Sequence, residues 1–119
     1  MVRLRNDGKL QDSLSEAVLG VPLGERATLV QFSSAFCQPC RATRRVLGEV
    51  AAIVPGVTHV EIDAESRLDL VRELDIMRTP TTLILNSSGK IIKRAAGQPR
   101  KVDVIAALGT AVSQDPDEM

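Results

Sequence analysis

Apolar and polar positions change period several times along this chain, and each change marks an element. Residues 27–33, ATLVQFS, are β-branched and apolar apart from the amide of Gln31, which predicts a buried strand. Ala42, Val46, Leu47, Val50 and Val54 then recur at helical spacing, with Arg41, Arg44, Arg45 and Glu49 between them. Pro55-Gly56 stops the pattern, so this is the longest predicted helix. Residues 57–63, VTHVEID, alternate as a strand, with Val57, His59, Glu61 and Asp63 on one side and Thr58, Val60 and Ile62 on the other. Leu68, Val71 and Leu74 mark a further helix. Residues 81–85 and 91–95 are two strands joined by Asn86-Ser87-Ser88-Gly89, a tight-turn composition that predicts an antiparallel hairpin.

The ends are helical. Ser13 followed three residues later by Glu16 predicts a capped first helix with Leu14 and Val18 on one face, closed by Gly20-Val21-Pro22. A last helix over 99–112 should turn Val104, Ile105, Leu108 and Val112 inward. Residues 1–10 form a polar extension, and residues 113–119 an acidic tail with nothing to bury. The order is helix, strand, helix, strand, helix, hairpin, helix, without internal repeats. It predicts one α/β domain over residues 11–112, with a central mixed β-sheet flanked by helices on both faces.

Composition narrows the function. The chain has 119 residues, 44% of them hydrophobic, enough for one core and too few for two. Fifteen Lys and Arg balance fifteen Asp and Glu, so no excess positive charge is available for a phosphate backbone, and nucleic acid is not an expected partner. Aromatics are 2% of the chain, Phe32 and Phe36 alone, which removes the stacking platforms that single strands use. No apolar run approaches the roughly 20 residues of a membrane span, and the polar first ten residues do not resemble a signal peptide. Two cysteines with only His59 beside them do not complete a four-ligand zinc site, and neither a metal nor another cofactor is expected.

Cys37-Gln38-Pro39-Cys40 lies between a predicted strand and a predicted helix. Cys37 then falls at the helix N-terminus, where unpaired N–H groups and the macrodipole favour a thiolate. The spacing puts the second sulfur on the same side of the first turn, within reach of a mixed disulfide on the first. Pro39 suits the first turn, where its missing N–H costs little. Two inert buried cysteines can also fall three apart, but the strand before and the helix after favour chemistry. Thr79-Pro80 stands where the hairpin begins, a place that invites a cis bond, with an ordinary trans proline as the alternative.

With these residues in view, residues 11–112 resemble the thioredoxin family. LVQFSSAFCQPC, VEIDAES, Thr79-Pro80 and Gly97 of RAAGQP carry the resemblance. It implies a thioredoxin-like fold and a thiol-disulfide oxidoreductase that reduces protein disulfides, with Cys37 as attacking nucleophile and Cys40 as buried resolving thiol. Pro80 would be the cis-proline beside them. Phe36, Thr79, Pro80, Ala96 and Gly97 would receive the substrate, the backbone of Thr79 pairing with an extended segment. A thioredoxin-reductase-like electron donor, a monomer and a cytoplasmic location are also implied. The alternative location is the soluble part of a membrane-anchored protein, since Arg3 and Arg5 after a span would mark its cytoplasmic side. A disulfide oxidase or isomerase is the rival within the same fold, and a non-catalytic protein-binding module is the rival outside that chemistry.

The departures from the family pattern concentrate around the cysteines. Phe36 and Ser33 stand at usual tryptophan positions, Gln38 replaces the glycine between the cysteines, and Arg45 replaces the proline that kinks the long helix. Gln31 occupies the place of the family's buried aspartate, and His59 that of its lysine partner. An amide does not take up a proton, so Gln31 and His59 become the candidate proton relay in altered form. His59 has two readings: a proton acceptor under the active site, or a half-buried strand histidine bonded to Gln31 or Glu61. Arg41, Arg44 and Arg45 are expected to form a solvated helix face, with Arg41 near enough to favour a thiolate.

Overall fold

The structure, a computed structural model, describes residues 13–113; the polar extension and the acidic residues 114–119 of the tail lie outside them. In chain order the elements are α1 (Glu16–Leu19), β1 (Ala27–Ser33), α2 (Gln38–Ile53), β2 (Val57–Asp63), a 3₁₀ turn (Ala64–Ser66), α3 (Leu68–Glu73), β3 (Thr81–Asn86), β4 (Ile91–Ala96) and α4 (Lys101–Ser113). They build a four-stranded sheet in the order β2-β1-β3-β4, and it is mixed, as the alternation of patterns predicted. β1 pairs parallel to β2 and antiparallel to β3, and β3 pairs antiparallel to β4. A strand with neighbours on both edges and helices on both faces has no wet side, which is why ATLVQFS reads as an almost continuous apolar run. All seven of its residues are buried.

Alternation along the strands divides the interior into two layers. Val30 and Phe32 of β1, Val60 and Ile62 of β2, and Leu83 and Leu85 of β3 face Leu19, Leu70 and Leu74 on one side. Ala27, Leu29, Val57 and Ile84 face Leu47 and Val50 of α2 and Val104, Ala107, Leu108 and Ala111 of α4 on the other. Gln31 and His59 fall on this second face by the same period-two rule.

Three short elements depart from the sequence pattern. Ser15 caps α1, its side chain accepting from the Val18 N–H, whereas Ser13 is bridged to Lys90 and has no capping role. The cause is Leu14: it is buried, and its N–H bonds the Gly89 carbonyl at 2.8 Å, so the chain stays extended for two residues longer. Leu19, not Val18, then carries the inward face. In α3 the 3₁₀ turn brings Leu68 in as the first helical residue at the rim, 54% exposed, and Leu70 and Leu74 point inward. In α4 the buried seam is Val104, Ala107, Leu108 and Ala111, while Ile105 is 44% exposed. Alanines on that seam let the helix lie close to the sheet, which an apolarity count undervalues because it favours the bulkier Ile105.

Asn86 organises the hairpin turn through its side-chain oxygen, which accepts from the backbone N–H groups of Ser88 and Lys90 and from the Ser88 hydroxyl. Gly89 completes the turn at φ +90°, and a Cβ there would collide with the Leu14 carbonyl oxygen. Gly89→Ala is therefore expected to cost about 2 kcal/mol or more. Gly109→Ala, in the interior of α4 where a Cβ meets only open space, should stabilise by roughly 0.5 to 1 kcal/mol. Urea unfolding of both variants checks the pair.

Candidate functional site

Three chain segments meet at one end of the sheet. β1 runs into Ser34, Ala35 and Phe36 and then into α2, whose N-cap is Cys37. β3 runs the opposite way, so its first residue, Thr81, lies opposite Phe32 of β1, and the bond just before it, Thr79-Pro80, is cis. β4 ends at Ala96, opposite Thr81, and the Gly97 N–H donates to the Pro80 carbonyl at 2.8 Å. The Ser34 and Thr79 hydroxyls, 2.8 Å apart, tie the first loop to the second. Cys37, Thr79, Pro80, Ala96 and Gly97 are thus brought to one edge. Phe36, adjacent to Cys37, stands fully exposed at φ +58°.

Cys37 and Cys40 are joined as a disulfide, with their Cα atoms 5.2 Å apart. The two sulfurs differ in access: Cys40 is 1% exposed, whereas Cys37 is only partly covered. Cys37 is also the capping residue of a helix of 16 residues, and its sulfur accepts the Cys40 N–H at 3.1 Å. A negative charge developing on that sulfur therefore meets a backbone donor and the positive end of the helix macrodipole.

Beneath the pair lies a polar network in a buried position. Gln31 is 0% exposed, and its Nε2 donates to the Cys40 carbonyl at 2.9 Å and to the Ser33 hydroxyl at 2.9 Å. A carbonyl only accepts, so the amide is oriented with nitrogen toward Cys40 and oxygen toward His59. The His59 Nε2, 3.0 Å from the Gln31 oxygen, must then be the N–H that donates. Its open lone pair is on Nδ1, away from the amide. The Ser33 hydroxyl donates to Glu61 at 2.7 Å, and Arg44 donates to the same carboxylate through two bonds at 2.8 and 2.7 Å. The network runs from the helix backbone to the surface with its only charges at the outer end.

Those charges set the titration behaviour. The Arg44 bond holds the Glu61 carboxyl below its ordinary value, against the opposing effect of partial burial. Burial pushes the His59 imidazole below its ordinary value, Glu61 raises it in part, and Arg44 lowers it. Arg44 is thus an ion-pairing residue rather than a plain solvated one, while Arg41 and Arg45 have no ion-pair partner among the described residues. No cluster that could hold a metal occurs among the described residues. Ser33, Glu61 and Arg44 carry the network although the residue pattern did not single them out for it. The available signal was that Glu61 lies two residues past His59 on one strand face, in register with Gln31.

Comparison with known proteins fits this geometry. A sequence model of the thioredoxin family matches residues 10–110. Thioredoxin of Mycolicibacterium smegmatis is 30% identical over 104 residues, spanning 85% of this chain and 89% of that protein. Other relatives are longer: the match covers 53% of thioredoxin H5 of Oryza sativa subsp. japonica, at 26% identity over 60% of this chain. For human thioredoxin domain-containing protein 2, 30% identical over 71% of this chain, the match covers 15% of the relative. Among solved structures, thioredoxin NaTrxh of Nicotiana alata superposes with a TM-score of 0.63 at 23% identity, covering 73% of this chain and 74% of its own.

The histidine is unique in the chain, so its titration can be followed without assignment ambiguity. Its NMR midpoint should lie below the reference value of about 6.5, with the neutral ring carrying its proton on Nε2. Glu61→Gln should lower the midpoint further, because the carboxylate is the neighbour that favours the charged ring. With the folded value depressed, the unfolded chain binds the proton first. The stability owed to the neutral ring is complete above about pH 6.5 and falls as the pH drops toward the folded midpoint. His59→Asn should remove that slope in pH-dependent urea unfolding.

Proposed function

The chain belongs to the thioredoxin family of thiol-disulfide oxidoreductases, and from that premise we propose that it reduces disulfides in other proteins. The observation that carries this reading is the unequal exposure of a bonded cysteine pair at a helix N-terminus. In the reduced protein the Cys37 thiolate attacks one sulfur of a substrate disulfide. A Cys37-substrate bond forms, the substrate bond breaks, and the departing sulfur leaves as a thiolate that takes up a proton. Cys40, one helical turn on and shielded from outside sulfurs, then attacks the Cys37 sulfur, closes the pair as the disulfide, and releases the second substrate sulfur.

Phe36, Thr79, Pro80, Ala96 and Gly97 form the docking edge in this proposal. The support is their common position: the loop tied by Ser34 to Thr79 and the Gly97 bond to Pro80 set them around Cys37. An extended substrate segment pairs with the backbone at Thr79, and the exposed Phe36 ring covers its apolar side chains. Gln31 and His59 serve here by holding the first turn of α2 from below. The amide orientation supports this, because the imidazole nitrogen that faces Gln31 already carries a proton.

Reduction of substrate leaves Cys37 and Cys40 oxidised, so a dithiol donor of the thioredoxin-reductase kind must return two electrons. We assign the reductant role to residues 11–112, acting as a monomer in the cytoplasm, where thiols are kept reduced. No helix among the described residues is long and apolar enough to cross a membrane.

The division of labour between the sulfurs is directly testable. Cys40→Ser should accumulate a mixed disulfide with a protein substrate to at least about ten times the level of Cys37→Ser, because only the first variant keeps the attacking sulfur and lacks the resolving one. Non-reducing electrophoresis with mass spectrometry of the trapped species reads the outcome. Equal trapping by the two variants would overturn the assignment.

A further inference from the structure

Thr82 is buried at 1% exposure, and its hydroxyl is a buried side-chain oxygen with no hydrogen-bond partner in the structure. It stands opposite Gln31 in the β1/β3 register, on the same face of the sheet. Cross-strand partners hold their Cβ atoms about 5 Å apart. Gln31 in turn reaches the Cys40 carbonyl at 2.9 Å, and Cys40, in the first turn of α2, is buried. Gln31 is thus the common neighbour of the orphan hydroxyl and of buried Cys40.

An unsatisfied hydroxyl in such a place costs stability that valine, its apolar isostere, would not cost, and it requires an explanation. The Gln31 amide does not supply one. Its nitrogen serves Cys40 and Ser33, and its oxygen serves His59. What changes in this layer during the reaction is the Cys40 sulfur. In the disulfide it is a weak acceptor without charge. When the bond opens, it becomes a thiol or a thiolate, and a thiolate is a strong acceptor that needs a donor when buried.

We propose that the Thr82 hydroxyl is the hydrogen-bond donor for the Cys40 sulfur in the reduced protein, so that this residue tunes the redox equilibrium of the pair. A dithiol donor gives two electrons and two protons and leaves as its own disulfide, while the Cys37–Cys40 bond breaks and both sulfurs become thiols. Thr82 adds no electron or proton to this exchange. It donates to the Cys40 sulfur of the reduced pair, to the thiol and more strongly to the thiolate from which resolution starts, and it loses its partner again when the disulfide closes. The inference deepens the oxidoreductase reading and rests on it.

The test is the equilibrium of the full chain with a buffered dithiol and disulfide pair, for the wild type, Thr82→Val and Thr82→Ser. Thr82→Val should shift the equilibrium toward the disulfide by about tenfold, which for a two-electron couple is about 30 mV. Thr82→Ser, which keeps the hydroxyl, should stay near the wild type. Urea unfolding should show the loss in the reduced form alone. Thr82→Ala set against Thr82→Ser isolates the same hydroxyl if the valine variant does not fold. An equilibrium within twofold of the wild type overturns the proposal. So does an equal loss in both redox forms, which is what a buried water serving either state would give. Reduction of a protein disulfide by the wild type is followed in the same samples. Turnover without a Thr82 effect overturns this inference alone, and absence of turnover overturns the reading beneath it.

Discussion

The buried amide of Gln31 is the contact on which the geometry of the redox pair depends. It joins the central strand to the first turn of α2 by donating to the Cys40 carbonyl, and it takes its orientation from that bond. A side chain with no exposure must satisfy its polar atoms internally. Gln31 does so through Cys40, Ser33 and His59 together. The network is therefore complete around the amide, and a shift of any member leaves a buried group unpaired. This fixes the helix N-terminus, and with it the cap at Cys37, relative to the sheet.

Keeping that contact neutral has electrostatic consequences. A carboxylate in the same place would oppose a second negative charge on the sulfurs above it, whereas an amide supplies hydrogen bonds without the repulsion. The charges that the site does contain are displaced outward. Glu61 and Arg44 pair at the rim, joined to the interior through the Ser33 hydroxyl. The first turn that carries the cysteines consequently rests on a neutral amide, with the Cys40 N–H directed at the Cys37 sulfur.

Much of this was legible in the residues. β1 and β2 have the limits that their apolar and alternating runs predict, because a central strand and a period-two strand leave unmistakable patterns. The Cys-Gln-Pro-Cys turn falls between strand and helix as its spacing requires, and the hairpin follows from its turn residues. What escaped the pattern depends on contacts distant in sequence. Ser13 has the form of a cap, but the pairing of its neighbour Leu14 with Gly89 keeps it extended. Ile105 is the more apolar residue, yet Ala107 takes the seam because the sheet is close. Ser33 stands out in the sequence only as a replacement for tryptophan, and Thr82 not at all, until the fold sets one between Gln31 and Glu61 and the other opposite Gln31.

A neutral support under the cysteines sets their reactivity, and the decisive measurement is the alkylation rate of Cys37 against pH in the reduced protein. The wild type should follow the titration of the sulfurs and the rim groups, without an inflection from a buried carboxylate beneath the pair. Gln31→Asp should move the profile to higher pH and add such an inflection, because a carboxylate there opposes thiolate formation. Superimposable profiles for the two proteins would show that the charge at this position has no effect on the thiolate.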